Sequence, residues 1–233
     1  MRGRAILPAC QFHYYSRHPG WHPSGPRRRC HPNYADRRRF PDETQAYHEG
    51  VPDHHTQISI QQQLTGLPQF RLHFIDNARA EGWAVYAEAL GKEIGFFEDL
   101  ASDYGCLSLE LMRSVRLVVD TGIHSEGWSR KQAVAYFRAS GAANEPTVQA
   151  EIDRCIAWPA QGLSYKIGQL KILELGHREQ QLGPRFDIKA FHDEILGGGS
   201  LPLDMLEARI ENWIRSQLRN GASKTKVLDS REP

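Results

Sequence analysis

Apolar residues recur every three to four positions along most of the chain after residue 42, which is the spacing of one helix face. In residues 79–97, for example, Trp83, Ala87, Leu90 and Ile94 fall on one side of a predicted helix. No segment shows the sustained two-residue alternation of a strand. The pattern therefore predicts an all-α protein, with helices over residues 43–64 (interrupted near Pro52), 79–97, 106–120, 129–139, 146–157, 163–182, 187–196 and 203–219.

Turn and capping residues support the ends of these helices. Pro146 is typical of a first helical turn, and Asp187 is a favoured N-cap residue. Gly183 and Pro184 are expected to stop the helix before them. The last helix is expected to end near residue 220, which leaves residues 221–233 as a frayed tail and 42–220 as one helical domain.

The first 41 residues have a different composition. They contain nine arginines, no lysine and a single acidic residue, Asp36, for a formal charge of +8, whereas the whole chain carries +1. They also contain six prolines, and Ile6 and Leu7 are their only aliphatic residues of the Ile, Leu or Val type. Such a segment buries too little apolar surface to offset its ordering entropy, so residues 1–41 are predicted to be disordered.

Three interpretations of this tail remain open. Arg27–Arg29 and Arg37–Arg39 could contact nucleic acid or a membrane surface. The tail could instead be a transit peptide, although transit peptides are rich in serine rather than in proline and histidine. The composition agrees best with the third interpretation, a non-native segment read from an out-of-frame or misassigned start in GC-rich DNA.

Overall charge and hydropathy exclude several classes of protein. A formal charge of +1 argues against a chain dominated by nucleic-acid binding. The sequence has no run of eighteen apolar residues and no secretory-type N-terminal segment. Its four cysteines have neither a metal-knuckle spacing nor the pattern of a disulfide framework. We therefore expect a cytoplasmic protein without a nucleic-acid or membrane partner.

The candidate functional residues include a His-Glu dipeptide, His48-Glu49. It is followed by His54 and His55 and, at the start of the predicted helix 79–97, by Glu81. Imidazole and carboxylate groups bind zinc, and a further carboxylate can act as general base toward water. In the usual His-Glu-x-x-His helix the second histidine stands at i+4, but Pro52 occupies that position here.

Pro52 offers a way to restore the spacing. Proline breaks or bulges a helix, so if Pro52-Asp53 acts as a two-residue insertion, His54 takes the place of the second histidine. His55 is the alternative ligand, but on a straight helix it would lie about 10.5 Å along the axis from His48. Two interpretations without a metal also stay open: a solvated helix face, and Glu81 as a first-turn acid that favours the helix dipole.

Several short motifs follow one another in a specific order between residues 43 and 219. They are the His48–His55 segment, Glu81-Gly82-Trp83-Ala84 with Tyr86, residues 116–124 (RLVVDTGIH), Trp128-Ser129, 162–168 (GLSYKIG), 186–187, 191–196 (FHDEIL) and 200–203. Together they resemble the bacterial domain-of-unknown-function 885 family, DUF885. The resemblance implies a helical, gluzincin-type metallopeptidase-like fold that is usually much longer, with this region as its C-terminal part.

The resemblance also implies roles for individual residues. His48, His54 and Glu81 correspond to ligands of one zinc ion, and Glu49 to the general base of a hydrolase that acts on small peptides. Tyr165 and His124 are candidate oxyanion stabilisers, because a zinc peptidase needs a donor opposite the metal. Tyr165 could equally be a core residue with a satisfied hydroxyl, and His124 a helix C-cap.

Two departures from the family pattern bear on activity. Glycine is expected at position 53, where this chain has Asp53, and the aspartate could bind or disturb the metal. The family's N-terminal portion is absent, which predicts exposed apolar surface on the remaining helices. The alternative function is therefore a truncated, inactive remnant or interaction module of the family.

Three charged residues form a stripe on one face of the predicted helix 106–120. Arg113, Arg116 and Asp120 stand at i, i+3 and i+7. The two arginines could bind a substrate carboxylate, since guanidinium groups bind carboxylates in a bidentate manner. A buried structural ion network explains the stripe at least as well and is the interpretation we favour.

Overall fold

The computed structural model describes residues 42–178 and 182–229, with side chains for residues 43–178 and 182–219. Within these ranges all regular structure is helical, which confirms the all-α prediction. The α-helices are α1 (Asp42–Glu49), α2 (His54–Gln63), α3 (Gln69–His73), α4 (Asn77–Glu93), α5 (Leu100–His124), α6 (Arg130–Ala139), α7 (Glu145–Ala157), α8 (Gln161–His177), α9 (Ile188–Gly197) and α10 (Leu203–Asp229), and Gly183–Arg185 forms a 3-10 turn.

The helix ends follow local capping chemistry. The side chain of Asp76 accepts a hydrogen bond from the backbone of Arg79, and Asp99 caps the start of α5 in the same way. Asp187 caps α9 as predicted. Helix α4 ends earlier than its apolar pattern predicts, because Gly95 adopts a left-handed conformation with φ of 87° just after its last turn.

Two other features differ from the prediction. The five-residue helix α3 follows Pro68 and is too short to show a helical period. Helix α10 continues to Asp229, past the end expected near residue 220, because a single glycine such as Gly221 costs a helix only about 1 kcal/mol relative to alanine. The tail 1–41, for which three interpretations are open, and residues 230–233 lie outside the described residues.

Most of the buried apolar side chains of the described residues form two clusters. The larger one joins α4, α8, α9 and α10 around Trp83, Ile172, Phe191 and Ile210. The second joins α5, α6 and α7 around Val119 and Phe137. Among the described helices, none is long and apolar enough to cross a membrane.

Helices α4 and α8 approach each other at a pair of glycines. A Cβ atom on Gly168 would lie 1.8 Å from the carbonyl oxygen of Ala78, and one on Gly82 would lie 2.4 Å from the backbone of Gly168. Only glycine permits this backbone approach. The crossing therefore holds Glu81, the neighbour of Gly82, close to the N-terminal half of α8.

Candidate metal centre

The helix is interrupted near Pro52, as the sequence predicts, and this interruption brings two histidines together. Helix α1 ends at Glu49 and α2 begins at His54. The indole Nε1 of Trp83 donates a hydrogen bond of 3.2 Å to the carbonyl oxygen of Pro52, which holds the connection against α4. The rings of His48 and His54 consequently lie edge to face, with centroids 4.7 Å apart.

Glu81 completes a group of three possible ligands. Its Oε2 lies 3.4 Å from His48 Nε2 and 3.3 Å from His54 Nε2, and the three ligand atoms all lie within 4.8 Å of one another. Glu81 Oε2 is buried and has no hydrogen-bond partner among the described residues. Ligand atoms about 2.0–2.1 Å from one tetrahedral zinc lie roughly 3.3–3.4 Å apart, so the two distances from Glu81 to the histidines fit that ion.

A buried ion pair lies behind His48. Glu88 Oε1 accepts a hydrogen bond of 2.6 Å from His48 Nδ1. Arg113 donates two hydrogen bonds to the same carboxylate, at 2.6 and 2.7 Å, and its Nη2 lies 3.1 Å from His48 Nδ1. All three side chains are almost completely buried. The Nδ1 edge of His48 is thus fully occupied, while its Nε2 edge faces Glu81.

Asp53 does not join the ligand group, although it is completely buried. Its Oδ2 lies 3.6 Å from His48 Nδ1 and its Oδ1 lies 3.7 Å from His54 Nδ1, on the edges of the rings that face away from Glu81. Gln57 Nε2 donates a hydrogen bond of 2.8 Å to Oδ1. The φ of Asp53 is −102°, so this position does not need the left-handed conformation that favours glycine.

The charges of the cluster are mutually dependent. Burial raises the pKa of Glu81, but His48 and His54 together hold it well below its usual range. Burial and the charge of Arg113 lower the pKa of His48, but Glu81 and Glu88 outweigh them and raise it to about 10. Glu81 is therefore an anion that needs a positive charge beside it, supplied either by an imidazolium or by a bound cation.

Tyr165 lies beside this cluster, and Glu49 adjoins the cluster residue His48 in the chain. Glu49 directly follows His48 at the end of α1 and accepts a hydrogen bond of 2.9 Å from Gln45. The ring of Tyr165, on α8, stacks on the ring of His48 with a centroid distance of 6.3 Å. Gln161 Nε2 donates to the Tyr165 hydroxyl at 3.1 Å and to Glu81 Oε1 at 3.3 Å, which links the hydroxyl to the candidate ligand.

The structure does not bring His124 into contact with these groups. His124 is the last residue of α5, eleven residues beyond Arg113, and so about 16 Å further along the helix axis. Its Nε2 lies 2.9 Å from the carbonyl oxygen of Cys155 on α7. This contact ties α5 to α7, so the geometry favours the structural interpretation of His124 over the oxyanion role.

The charged stripe on α5 is also engaged in structural contacts. Arg113 pairs with Glu88, and Arg116 Nη2 lies 2.7 Å from Glu151 Oε2. Asp120 Oδ1 accepts a hydrogen bond of 3.0 Å from the backbone of Ala160 at the start of α8. These contacts support the ion-network interpretation rather than a substrate clamp.

The sequence-based prediction did not include Glu88 and Gln161. Glu88 stands at i+7 from Glu81, on the same face of α4, within a segment that is otherwise apolar and buried. A carboxylate in that position signals a buried partner, because buried charges are paired or bind metals. Gln161 carries no comparable signal, since its contact with Glu81 depends on the packing of α8 against α4.

Residues 12–210 match a protein family described as "Bacterial protein of unknown function (DUF885)". Two solved structures are similar to the chain. A "putative lipoprotein" from Colwellia psychrerythraea is 43% identical, with a TM-score of 0.72, and the match covers 74% of this chain and 30% of that one. A "putative lipoprotein of unknown function" from Shewanella oneidensis is 25% identical, with a TM-score of 0.66, over 72% of this chain and 31% of that one.

The chain thus spans less than a third of the length of these two proteins. No curated protein matches it. The family match begins inside the predicted tail 1–41 and ends within α10, so it overlaps two of the three predicted segments and leaves out residues 221–233. The cytoplasmic location of the chain stays a prediction.

Proposed function

The chain belongs to the bacterial DUF885 family, and we propose that it binds one zinc ion through His48, His54 and Glu81 and hydrolyses peptide bonds in small peptides. One observation carries the proposal: the buried Glu81 Oε2 has no hydrogen-bond partner among the described residues, yet it faces two imidazole Nε2 atoms at the spacing of zinc ligands.

The zinc ion and Glu49 have different roles in the proposed hydrolysis. Zinc, when bound, polarises a carbonyl group and makes water a better nucleophile. Glu49, next to His48, takes the proton of the attacking water and later delivers it to the leaving amine. Three protein ligands, rather than four, leave a coordination position for water or substrate.

The hydrogen bonds of Tyr165 support a role in stabilising negative charge on the substrate oxygen. Its hydroxyl oxygen receives hydrogen bonds from Gln161 Nε2 at 3.1 Å and from Arg154 Nη2 at 3.3 Å. Because both of these contacts are donors to the oxygen, the O–H proton is left for an acceptor on the substrate. The guanidinium groups of Arg113 and Arg116 lie over the ring, 5.8 and 5.3 Å from its centroid, and add positive charge there.

The proposed zinc site is tested by comparing His54→Ala with His55→Ala. Both variants remove one imidazole from the start of α2, but only His54 faces Glu81. We expect wild-type protein and His55→Ala to bind one equivalent of zinc, and His54→Ala to bind zinc about 100-fold more weakly or worse, since even outer contacts of metal ligands contribute 10–100-fold. Metal analysis after dialysis and titration against a competing chelator measure both quantities.

Either of two outcomes contradicts the zinc site: wild-type protein without stoichiometric zinc, or His54→Ala with unchanged affinity. Loss of zinc in His55→Ala alone would instead move the ligand role to His55. Circular dichroism of each metal-free variant verifies that the helices remain folded.

A further inference from the structure

Two side chains with opposite requirements contact the same nitrogen of His48. Glu88 Oε1 lies 2.6 Å from Nδ1, and Arg113 Nη2 lies 3.1 Å from it. An ionised carboxylate only accepts hydrogen bonds, and a guanidinium group only donates them. Glu88 therefore requires a proton on Nδ1, whereas Arg113 would require a lone pair there.

The geometry decides in favour of Glu88. Its contact with Nδ1 is the shorter of the two, and a lone pair on Nδ1 would place two electron-rich atoms 2.6 Å apart. Arg113 already donates to both oxygens of Glu88, at 2.6 and 2.7 Å, and so has a better acceptor than the ring. With its proton on Nδ1, a neutral His48 carries its lone pair on Nε2, the atom that faces Glu81 and His54.

We propose that Glu88 is a positioning residue of the zinc site: it holds the Nδ1 proton of His48 and fixes the ring, so that Nε2 presents its lone pair to the metal. Arg113 in turn holds Glu88 from α5, so that residues of α1, α4 and α5 together define the direction of this ligand. The proposal rests on the proposed function, since it requires that His48 bind zinc.

Glu88→Gln tests this role, with Glu151→Gln as the matched control. Each variant removes the carboxylate from a largely buried glutamate–arginine pair, but Glu151 pairs with Arg116 and has no described contact with a proposed ligand. In Glu88→Gln the amide holds the Nδ1 proton less strongly and leaves the charge of Arg113 3.1 Å from Nδ1. We expect zinc affinity to fall about 10–100-fold in Glu88→Gln and to stay at the wild-type value in Glu151→Gln.

Chelator competition measures the affinity of both variants, and thermal unfolding of the metal-free proteins measures their loss of stability. Unchanged affinity in Glu88→Gln overturns the positioning role while leaving the zinc site intact. An equal loss of affinity in both variants also overturns it, because a general loss of packing then explains the result. A wild-type protein that binds no zinc refutes the proposed function itself.

A measurement on the zinc-loaded wild-type protein does not depend on how the variants fold. Nitrogen chemical shifts of the imidazole of His48 report which ring nitrogen carries the metal and which carries the proton. We expect zinc on Nε2 and a hydrogen-bonded proton on Nδ1. Zinc on Nδ1, or an Nδ1 without a proton, contradicts the role of Glu88.

Discussion

Replacement of Glu49 by glutamine is expected to lower peptide hydrolysis by about 10²–10⁴-fold while zinc stays stoichiometric. Glu49 follows His48 in the chain but is not part of the group of three ligand atoms. Glutamine keeps the size of the side chain and can still interact with Gln45, yet its amide cannot take a proton from water. The measurement is kcat/KM on a set of small peptides, with zinc content determined on the same samples.

Glu43 provides the control for this prediction. It lies near the start of α1, the helix that ends with Glu49, and its Oε1 accepts a hydrogen bond of 3.2 Å from the hydroxyl of Tyr47. Glu43→Gln removes the same charge and should hydrolyse peptides at the wild-type rate. Hydrolysis by Glu49→Gln at that rate would exclude the base role, and loss of zinc would make Glu49 a ligand instead. Wild-type protein with zinc but without hydrolysis would favour the alternative function, an inactive member of the family.

Much of the fold follows from periodicity and capping residues. Helices α4 to α10 were each predicted, because their buried faces recur at helical spacing and residues such as Asp187 cap their ends. The short helix α3 was missed, since five residues cannot show a period. The end of α4 was placed too late because the left-handed Gly95 interrupts an apolar pattern that continues beyond it.

Only part of the candidate site could be predicted from the sequence. His48 and His54 are close in the chain, and the break at Pro52 accounts for their approach, so motif spacing could identify them. The contacts of Glu88 and Gln161 with the site depend on the packing of α4 against α1 and α8, which no local pattern encodes. The predicted oxyanion role of His124 came from the resemblance and not from geometry, and the structure places this residue against α7.

Gly168→Ala is expected to destabilise the protein by more than about 3 kcal/mol, above the usual range for overpacking. The added methyl group would lie 1.8 Å from the carbonyl oxygen of Ala78 and 2.7 Å from the Cα of Gly82. Both are backbone atoms of α4, so a rotamer change cannot relieve the clash and the two helices must separate. Since α4 carries Glu81 and α8 carries Tyr165, we also expect zinc affinity to fall with stability.

Gly197→Ala separates this steric effect from the general consequence of placing alanine in a helix. Gly197 is the last residue of α9, and among the described residues its added methyl group would meet only Arg209, at an ordinary contact distance of 3.8 Å. Alanine raises helix propensity by about 1 kcal/mol, so Gly197→Ala should be as stable as the wild type or slightly more stable. Denaturant unfolding of both variants gives the comparison. A Gly168→Ala protein with wild-type stability and zinc binding would mean that α4 and α8 do not need the glycine contact, and that Glu81 is held in place by other packing.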